Sequence, residues 1–273
     1  MRAPNEENPK HCVISWSGGM DSTSLIVQKL REGYTIHSLS FNYGQKHEVE
    51  LDRVRANLTY FAEHGYHIKA TFIDLRSAFE GLASALIDST ETVPEGYYEE
   101  SNMKQTVVPN RNAIFTSIIY AHALSLVSKL DQEVEISLGV HSGDHAIYPD
   151  CRPDFYTKLI AAFESGNWDA ERVTLSLPYI NDNKTIILQD GQSSCEKLGL
   201  DFDTVYRNTI TSYAPDAQGR SSGKTGSDTE RILAFAELGL IDPIEYAEPW
   251  DKVLQYALSK QSEFKNQQST ILN

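Results

Sequence analysis

Cysteine is scarce. The 273 residues hold three, Cys12, Cys151 and Cys195, spaced too widely for a disulfide framework or a zinc-ligand pattern. Positive charge is also in deficit: 24 Lys and Arg face 38 Asp and Glu, a net charge of −14. That balance argues against a general nucleic-acid or membrane-surface binder, because such binding rests on basic patches. No run approaches the ~18 apolar residues of a membrane span. Residues 1–10 lack the apolar core of a signal peptide. The Walker A string G-x-x-x-x-G-K-[ST] is absent, and no internal repeat is visible. These absences leave a cytoplasmic globular protein as the expectation.

The most informative stretch present is Ser17-Gly18-Gly19-Met20-Asp21-Ser22. It follows a short apolar run, Cys12 to Trp16, and leads into helical spacing through Leu25, Ile26 and Leu30. A strand, a Gly-Gly turn and a helix N-terminus form an anion site. Glycines let the backbone approach a phosphate, free N–H groups point outward, and the helix dipole favours negative charge. Ser17 and Ser22 add hydroxyl donors, and Asp21 suits a Mg²⁺ ion held beside the phosphates. An ordinary capped turn is the bland reading. The full S-G-G-x-D-S string argues against it, and resembles the pyrophosphate loop of the N-type ATP pyrophosphatases.

Along the chain, residues 1–10 read as a flexible arm. Strands are expected at 34–41, 66–74, 135–140 and 173–177, with helices between them, the one after Asn110 capped by that side chain. Residues 76–88 read as a short helix. The fold class is therefore α/β: a Rossmann-like, five-stranded parallel sheet with helices on both faces and a small C-terminal helical and loop appendage. Residues 11–210 form the main domain and 211–273 the appendage. Residues 89–107 lack periodicity and read either as a lid or as disorder. In such a sheet, ligands lie beyond the carboxyl ends of the strands, so the loops after the first, second and fourth strands converge on one crevice.

Further motifs narrow the resemblance. Phe41-Asn42-Tyr43-Gly44-Gln45-Lys46-His47, Val108-Pro109-Asn110-Arg111-Asn112-Ala113-Ile114-Phe115, Gly139-Val140, Tyr148-Pro149-Asp150-Cys151-Arg152-Pro153-Asp154-Phe155 and Lys184 occur in an order and spacing similar to the 7-cyano-7-deazaguanine synthase (QueC) family, over residues 12 to about 235. The resemblance implies a ligase that uses Mg-ATP to adenylate the carboxylate of 7-carboxy-7-deazaguanine. Ammonia then gives the amide and, after a second adenylation, the nitrile of queuosine biosynthesis.

The resemblance implies the following roles. Ser17, Gly18, Gly19, Ser22 and Ser40 bind nucleotide, and Asp21 binds Mg²⁺. Arg111 contacts nucleotide or substrate, its rival reading a surface ion pair. Lys184 neutralises the α-phosphate, against an exposed helix lysine. Tyr43, Gln45, Asp144, Tyr148, Asp150 and Arg152 face the substrate, although the two aspartates read equally well as turn residues. Cys151 is expected to be an inert thiol, and His141 and His145 lack ligand spacing.

One departure is large. The family carries a zinc module of four cysteines, and Ser212, Ser222, Thr225 and Asp228 stand at those places here. Hydroxyls are poor zinc ligands, so no zinc is expected and the loop must be held by hydrogen bonds or packing, or be mobile. Together with the 89–107 insertion, this opens a second reading: a relative, of the kind found in antiphage defence loci, that joins a deazaguanine to an amine of a partner macromolecule. A non-catalytic nucleotide or deazapurine sensor is a third, which the intact Asp21 argues against. The oligomeric state, a homodimer included, is left open.

Overall fold

Alternation of apolar side chains decides how the chain layers. In the first strand Cys12 and Ile14 face one side while Val13 faces the other, and all three are fully buried. A strand apolar on both faces must be covered on both faces, which is the signature of a parallel α/β sheet. The computed structural model describes residues 9–46, 49–87, 91–141, 143, 147–213, 215–216 and 218–271. Five parallel strands run in the order β3-β2-β1-β4-β5: β1 (His11–Ser15), β2 (Thr35–Asn42), β3 (Lys69–Asp74), β4 (Val134–Ser137) and β5 (Val173–Ser176).

One face carries α1 (Met20–Arg31), α2 (Val49–Glu63), α6 (Lys184–Leu198), α7 (Phe202–Arg207) and α8 (Gly226–Glu237). Their buried residues, among them Leu25, Val54, Ile187, Val205 and Phe235, close over Cys12, Ile14 and Ile36. The opposite face carries α3 (Arg76–Phe79), α4 (Arg111–Leu130) and α5 (Pro153–Gly166). There Phe79, Ile119, Ala123 and Tyr156 pack with Val13, Leu39 and Ile136. The terminal helix α9 (Trp250–Ile271) packs on α8 through Val253 and Ala257.

The five strands and the two helical layers match the sequence reading, with instructive differences. Among the described residues of 76–88, only the single turn of α3 is helical. Asn110 does precede α4, but with φ of +59° and no side-chain hydrogen bond to the helix; the side-chain caps fall on Asn183, Asp201 and Thr225 instead. α4 is long and apolar enough by composition to cross a membrane, contrary to the expectation that no such segment exists. Its buried residues Thr116, Ile119, Tyr120, Ala123 and Val127 lie against the sheet, as in the core helix of an α/β layer.

The 89–107 segment, read as a lid or as disorder, is ordered where it is described, and its Tyr98, Met103 and Thr106 line a cavity. Of its described residues, Ser101–Thr106 form a 3₁₀ turn. Glu95 pairs with Thr225 in a β-bridge, Gly96 N donates to Lys224 O at 3.0 Å, and the Tyr97 ring lies 4.8 Å from that of Phe264. The segment is thus pinned to α8 and α9.

Burial also sets a pH response. His37, on β2, has its pKa lowered to about 4, first by desolvation and then by Lys69, His11 and His122. Its ring contacts His11 at 3.2 Å, and His11 is lowered as well, chiefly by burial. Between the ordinary histidine value of ~6.5 and about 4, the unfolded chain binds more protons than the folded one, so stability rises with pH across that window. We expect the unfolding temperature to fall from pH 6.5 to pH 4.5, and the His37→Gln variant to lose part of that dependence in thermal melts.

Candidate active site

The order β3-β2-β1-β4-β5 places the switch point between β1 and β4, where the chain leaves the sheet in opposite directions. Ser17 to Ser22 bridges β1 to α1 at that point. Gly18 has φ of +90°, and a Cβ there would lie 2.2 Å from the Glu50 carbonyl oxygen, so only glycine fits between this loop and α2. The loop is braced from within. Ser17 Oγ and Ser22 Oγ are 3.0 Å apart, Gly19 N donates to Ser17 Oγ, and Ser22 Oγ donates to Gly19 O. From outside, Ile210 N donates to Gly18 O at 3.0 Å. The cradle is therefore formed before any anion arrives, with the first amides of α1 at its rim.

Asp21 stands in the first turn of α1. Its Oδ2 is 3.3 Å from Lys184 Nζ and 3.8 Å from His141 Nε2. Lys184, at the start of α6 and 5% exposed, also reaches Glu230 Oε2 of α8 at 2.6 Å. His141 lies between the two acids, its Nδ1 accepting from Gly143 N at 3.1 Å, so a neutral ring carries its proton on Nε2, facing Asp21. Asp21 Oδ1 is buried and has no hydrogen-bond partner among the described residues. An orphaned carboxylate oxygen costs roughly 1–3 kcal/mol and calls for an explanation. A cation ligand is a fitting one.

Two cavities meet at this loop. The first, about 220 Å³, is walled by Trp16, Phe41, Tyr43, Phe115, Leu138 and Val140, with Arg111 at its side. The second, about 130 Å³, is lined by Tyr98, Met103, Thr106, His141, Tyr148, Lys184, Ser227 and Glu230. Ser17, Gly19, Asp21, Glu50 and Tyr213 line both.

The expected site residues divide accordingly. Tyr43, Gln45 and Arg111 border the first cavity. The Arg111 guanidinium lies 5.9 Å from the Tyr43 ring centroid and donates to its hydroxyl at 3.5 Å. Gln45 braces the turn after β2, accepting from Tyr43 N and donating to Phe41 O. Tyr148 and Lys184 border the second cavity, Tyr148 sharing a hydrogen bond with Thr106. Three residues lie apart from both. Ser40 is buried and donates to Trp16 O at 2.6 Å, a bond that fixes the approach to the loop. Asp150 and Arg152 line neither cavity, and Arg152 is exposed. Asp144 and His145 fall outside the described residues. Cys151 is buried and lines neither cavity, but it accepts at 3.4 Å from the Nδ2 of Asn112, which lines the first.

Sequence reasoning missed Glu50, Glu230, Tyr98 and Tyr213. It treated His141 only as a failed metal ligand. For His141 the signal was the convergence of loops already read from the sequence, since it follows β4 at the switch point; Glu50, Glu230, Tyr98 and Tyr213 lie outside those strand ends and carry no local signal.

A parallel sheet with helices on both faces and a glycine loop opening a helix at its switch point defines a Rossmann-like α/β protein, with the geometry that suits a phosphate-bearing ligand. The comparisons narrow this class. The family model described as queuosine biosynthesis protein QueC matches residues 11–239. The chain is 41% identical over 237 residues to a 7-cyano-7-deazaguanine synthase of Alteromonas mediterranea, covering 87% of this chain and 99% of that protein. It is 40% identical to one of Psychromonas ingrahamii, covering 87% and 98%. Among solved structures, it is similar to a 4-thiouridine synthetase complexed with RNA and bound ATP at 16% identity, covering 92% of this chain and 53% of that one with a TM-score of 0.41; so distant a likeness adds nothing to the argument. The chain belongs to the QueC family.

The glycine geometry generates a test. Gly18→Ala meets both a left-handed φ, worth roughly 1–2 kcal/mol, and the backbone of α2. Gly33, with φ of +82°, has nothing within 4 Å of an added Cβ. In calorimetric titration with ATP, Gly18→Ala is expected to lose binding, whereas Gly33→Ala keeps it and shows only a lowered melting temperature.

Proposed function

We propose that the protein uses Mg-ATP to adenylate the carboxylate of 7-carboxy-7-deazaguanine or a close analogue with release of pyrophosphate, and that an amine then attacks the acyl carbon and expels AMP to give an amide. Where the amine is ammonia, a second adenylation, of the amide oxygen, followed by loss of AMP gives the nitrile. The observation that carries this reading is the meeting of two cavities at a preformed anion cradle where a lysine is shared by two acids. The family membership and the names of the relatives support it.

In this reading the aromatic cavity takes the adenosine portion, with Arg111 beside it, and the second cavity takes the carboxylate substrate. The amides at the start of α1 and the hydroxyls of Ser17 and Ser22 receive the β- and γ-phosphates. A Mg²⁺ ion on Asp21 Oδ1 would neutralise charge on the departing pyrophosphate. Lys184, beside Asp21, would stabilise the charge that builds on the α-phosphate. Glu230 keeps the ammonium in place. Most of the rate enhancement then comes from placing the carboxylate in line with the α-phosphorus and from this fixed positive charge. The enzyme needs no nucleophile of its own, so Cys151 has no chemical part.

The test is to supply ATP and 7-carboxy-7-deazaguanine, with and without ammonia, and to identify products by mass. Amide and nitrile with release of pyrophosphate are expected. An adenylate that stalls although ammonia is present would redirect the reading to an acceptor amine on another macromolecule. Asp21→Ala should abolish pyrophosphate release and leave the melting temperature near that of the parent. Undiminished release in that variant would sink the proposal.

A further inference from the structure

The four positions where the family's zinc cysteines are expected converge on one point. Ser212, Ser222 and Thr225 each donate a hydroxyl proton to Asp228 Oδ2, at 3.1, 3.1 and 2.8 Å. Thr225 N donates to the same oxygen at 3.1 Å, and Ser221 Oγ donates to Oδ1 at 2.5 Å. Asp228 is 1% exposed, and Ser212, Ser221 and Thr225 are buried with it. The residues present do not suit zinc. Structural zinc takes thiolate or imidazole, whereas here three neutral hydroxyls spend their protons on the fourth member of the set. The carboxylate stands at the centre of the cluster, where a metal would otherwise sit.

The cluster also has an address. Ser212 lies between Thr211 and Tyr213, both of which line the second cavity, and Tyr213 lines the first as well. Thr225 and Asp228 form a reciprocal capping box at the start of α8. The same first turn presents Gly226, Ser227 and Glu230 to the second cavity. Ser221 continues into the bridge with Tyr246. Three separate segments are thereby tied together directly behind one cavity wall.

We propose that Asp228 is a positioning residue, the hub of a metal-free clasp that takes over the work of a structural zinc. It holds α8 so that Glu230 meets Lys184, and it holds Tyr213 between the two cavities. Five donors on one carboxylate rigidify the wall without any dependence on metal supply or thiol oxidation. The kinetic part of this proposal rests on the function proposed above; the metal and stability parts do not.

The test uses the full chain in three forms: the parent, Asp228→Asn, and a variant combining Ser212→Cys, Ser222→Cys, Thr225→Cys and Asp228→Cys. Zinc is measured by atomic emission after purification, and melting and turnover are followed with a zinc-selective chelator in excess Mg²⁺. The parent is expected to carry zinc far below one ion per chain and to be indifferent to the chelator. Asp228→Asn, which sets amide protons against hydroxyl donors, should melt roughly 5–10 °C lower. Its kcat/KM for the carboxylate substrate should fall by ~10²-fold through displacement of the wall, with the KM for ATP near that of the parent. A general loss of fold would instead lower the active fraction and leave both KM values unchanged. The four-cysteine variant should bind one zinc per chain and recover a stability that the chelator then removes. Stoichiometric zinc in the parent, chelator-sensitive melting of the parent, or an Asp228→Asn protein with parental stability and kinetics would each overturn the clasp. If the metal and melting results hold while no adenylation occurs, the clasp stands and the proposed reaction fails.

Discussion

Lys184 is the interaction on which the site depends. It comes from the start of α6, yet its two acidic partners belong to α1 and to α8, so one ammonium joins three helices that enter the site separately. A buried lysine with a single acid would be near balance against its desolvation cost, and such pairs often add little net stability. Among the described residues one ammonium meets two carboxylates, with the His141 ring beside both. The oxygen of that set left without a hydrogen-bond partner is Asp21 Oδ1. An unpartnered oxygen of this kind makes sense for a site completed by a ligand. In the reading proposed above, a cation on Asp21 would leave Lys184 paired with Glu230 alone, which still holds the ammonium at the site.

Much of the sheet was legible in the sequence because apolar alternation and glycine placement are local signals. The five strands, the cradle after β1 and the start of α6 at Lys184 all announce themselves within a few residues. The misreadings share a cause in contacts that span the chain. Asn110 has the chemistry of a cap, but its backbone takes a left-handed turn into α4, which removes the side chain from capping geometry. Residues 91–106 have no period of their own, because their order comes from Lys224, Thr225 and Phe264, more than a hundred residues away. Glu230 looked like one acid among many until α8 was docked on α6. Its role depends on which way α8 faces, and that is set by the capping box and by hydroxyls elsewhere in the chain.

Local chemistry also misled in the other direction. The stretch around Asp150 and Arg152 reads as a ligand loop, but in the 3₁₀ turn Pro149–Cys151 and just after it those two residues line neither cavity, while Cys151 is buried against Asn112. Tyr148, one residue earlier, is the member of that stretch that faces the second cavity. A single helical turn is enough to separate a lining residue from its neighbours, and sequence spacing does not resolve that difference.

The segment 209–213 shows how the cradle and the C-terminal helices act as one unit. Ile210 N donates to Gly18 O, attaching the segment to the loop after β1. The hydroxyls of Thr209 and Thr211 accept from Arg231, whose guanidinium is fully buried and paired with Asp242 at 2.6 Å. Ser212 turns the other way and donates to Asp228. Successive residues of one short segment thus bind the cradle, a buried cation and a buried carboxylate, and both of the latter belong to α8. Removing one partner of such a buried charge is far more damaging than the net worth of the pair, since the other charge is left without compensation. The position of α8 is consequently fixed at Asp228 and at Arg231, and the same segment ties both to the loop at Gly18. That mechanical connection explains why a loop without cysteines can still frame the cavity: the wall needs fixed points, and hydrogen-bonded carboxylate and guanidinium hubs provide them by geometry alone.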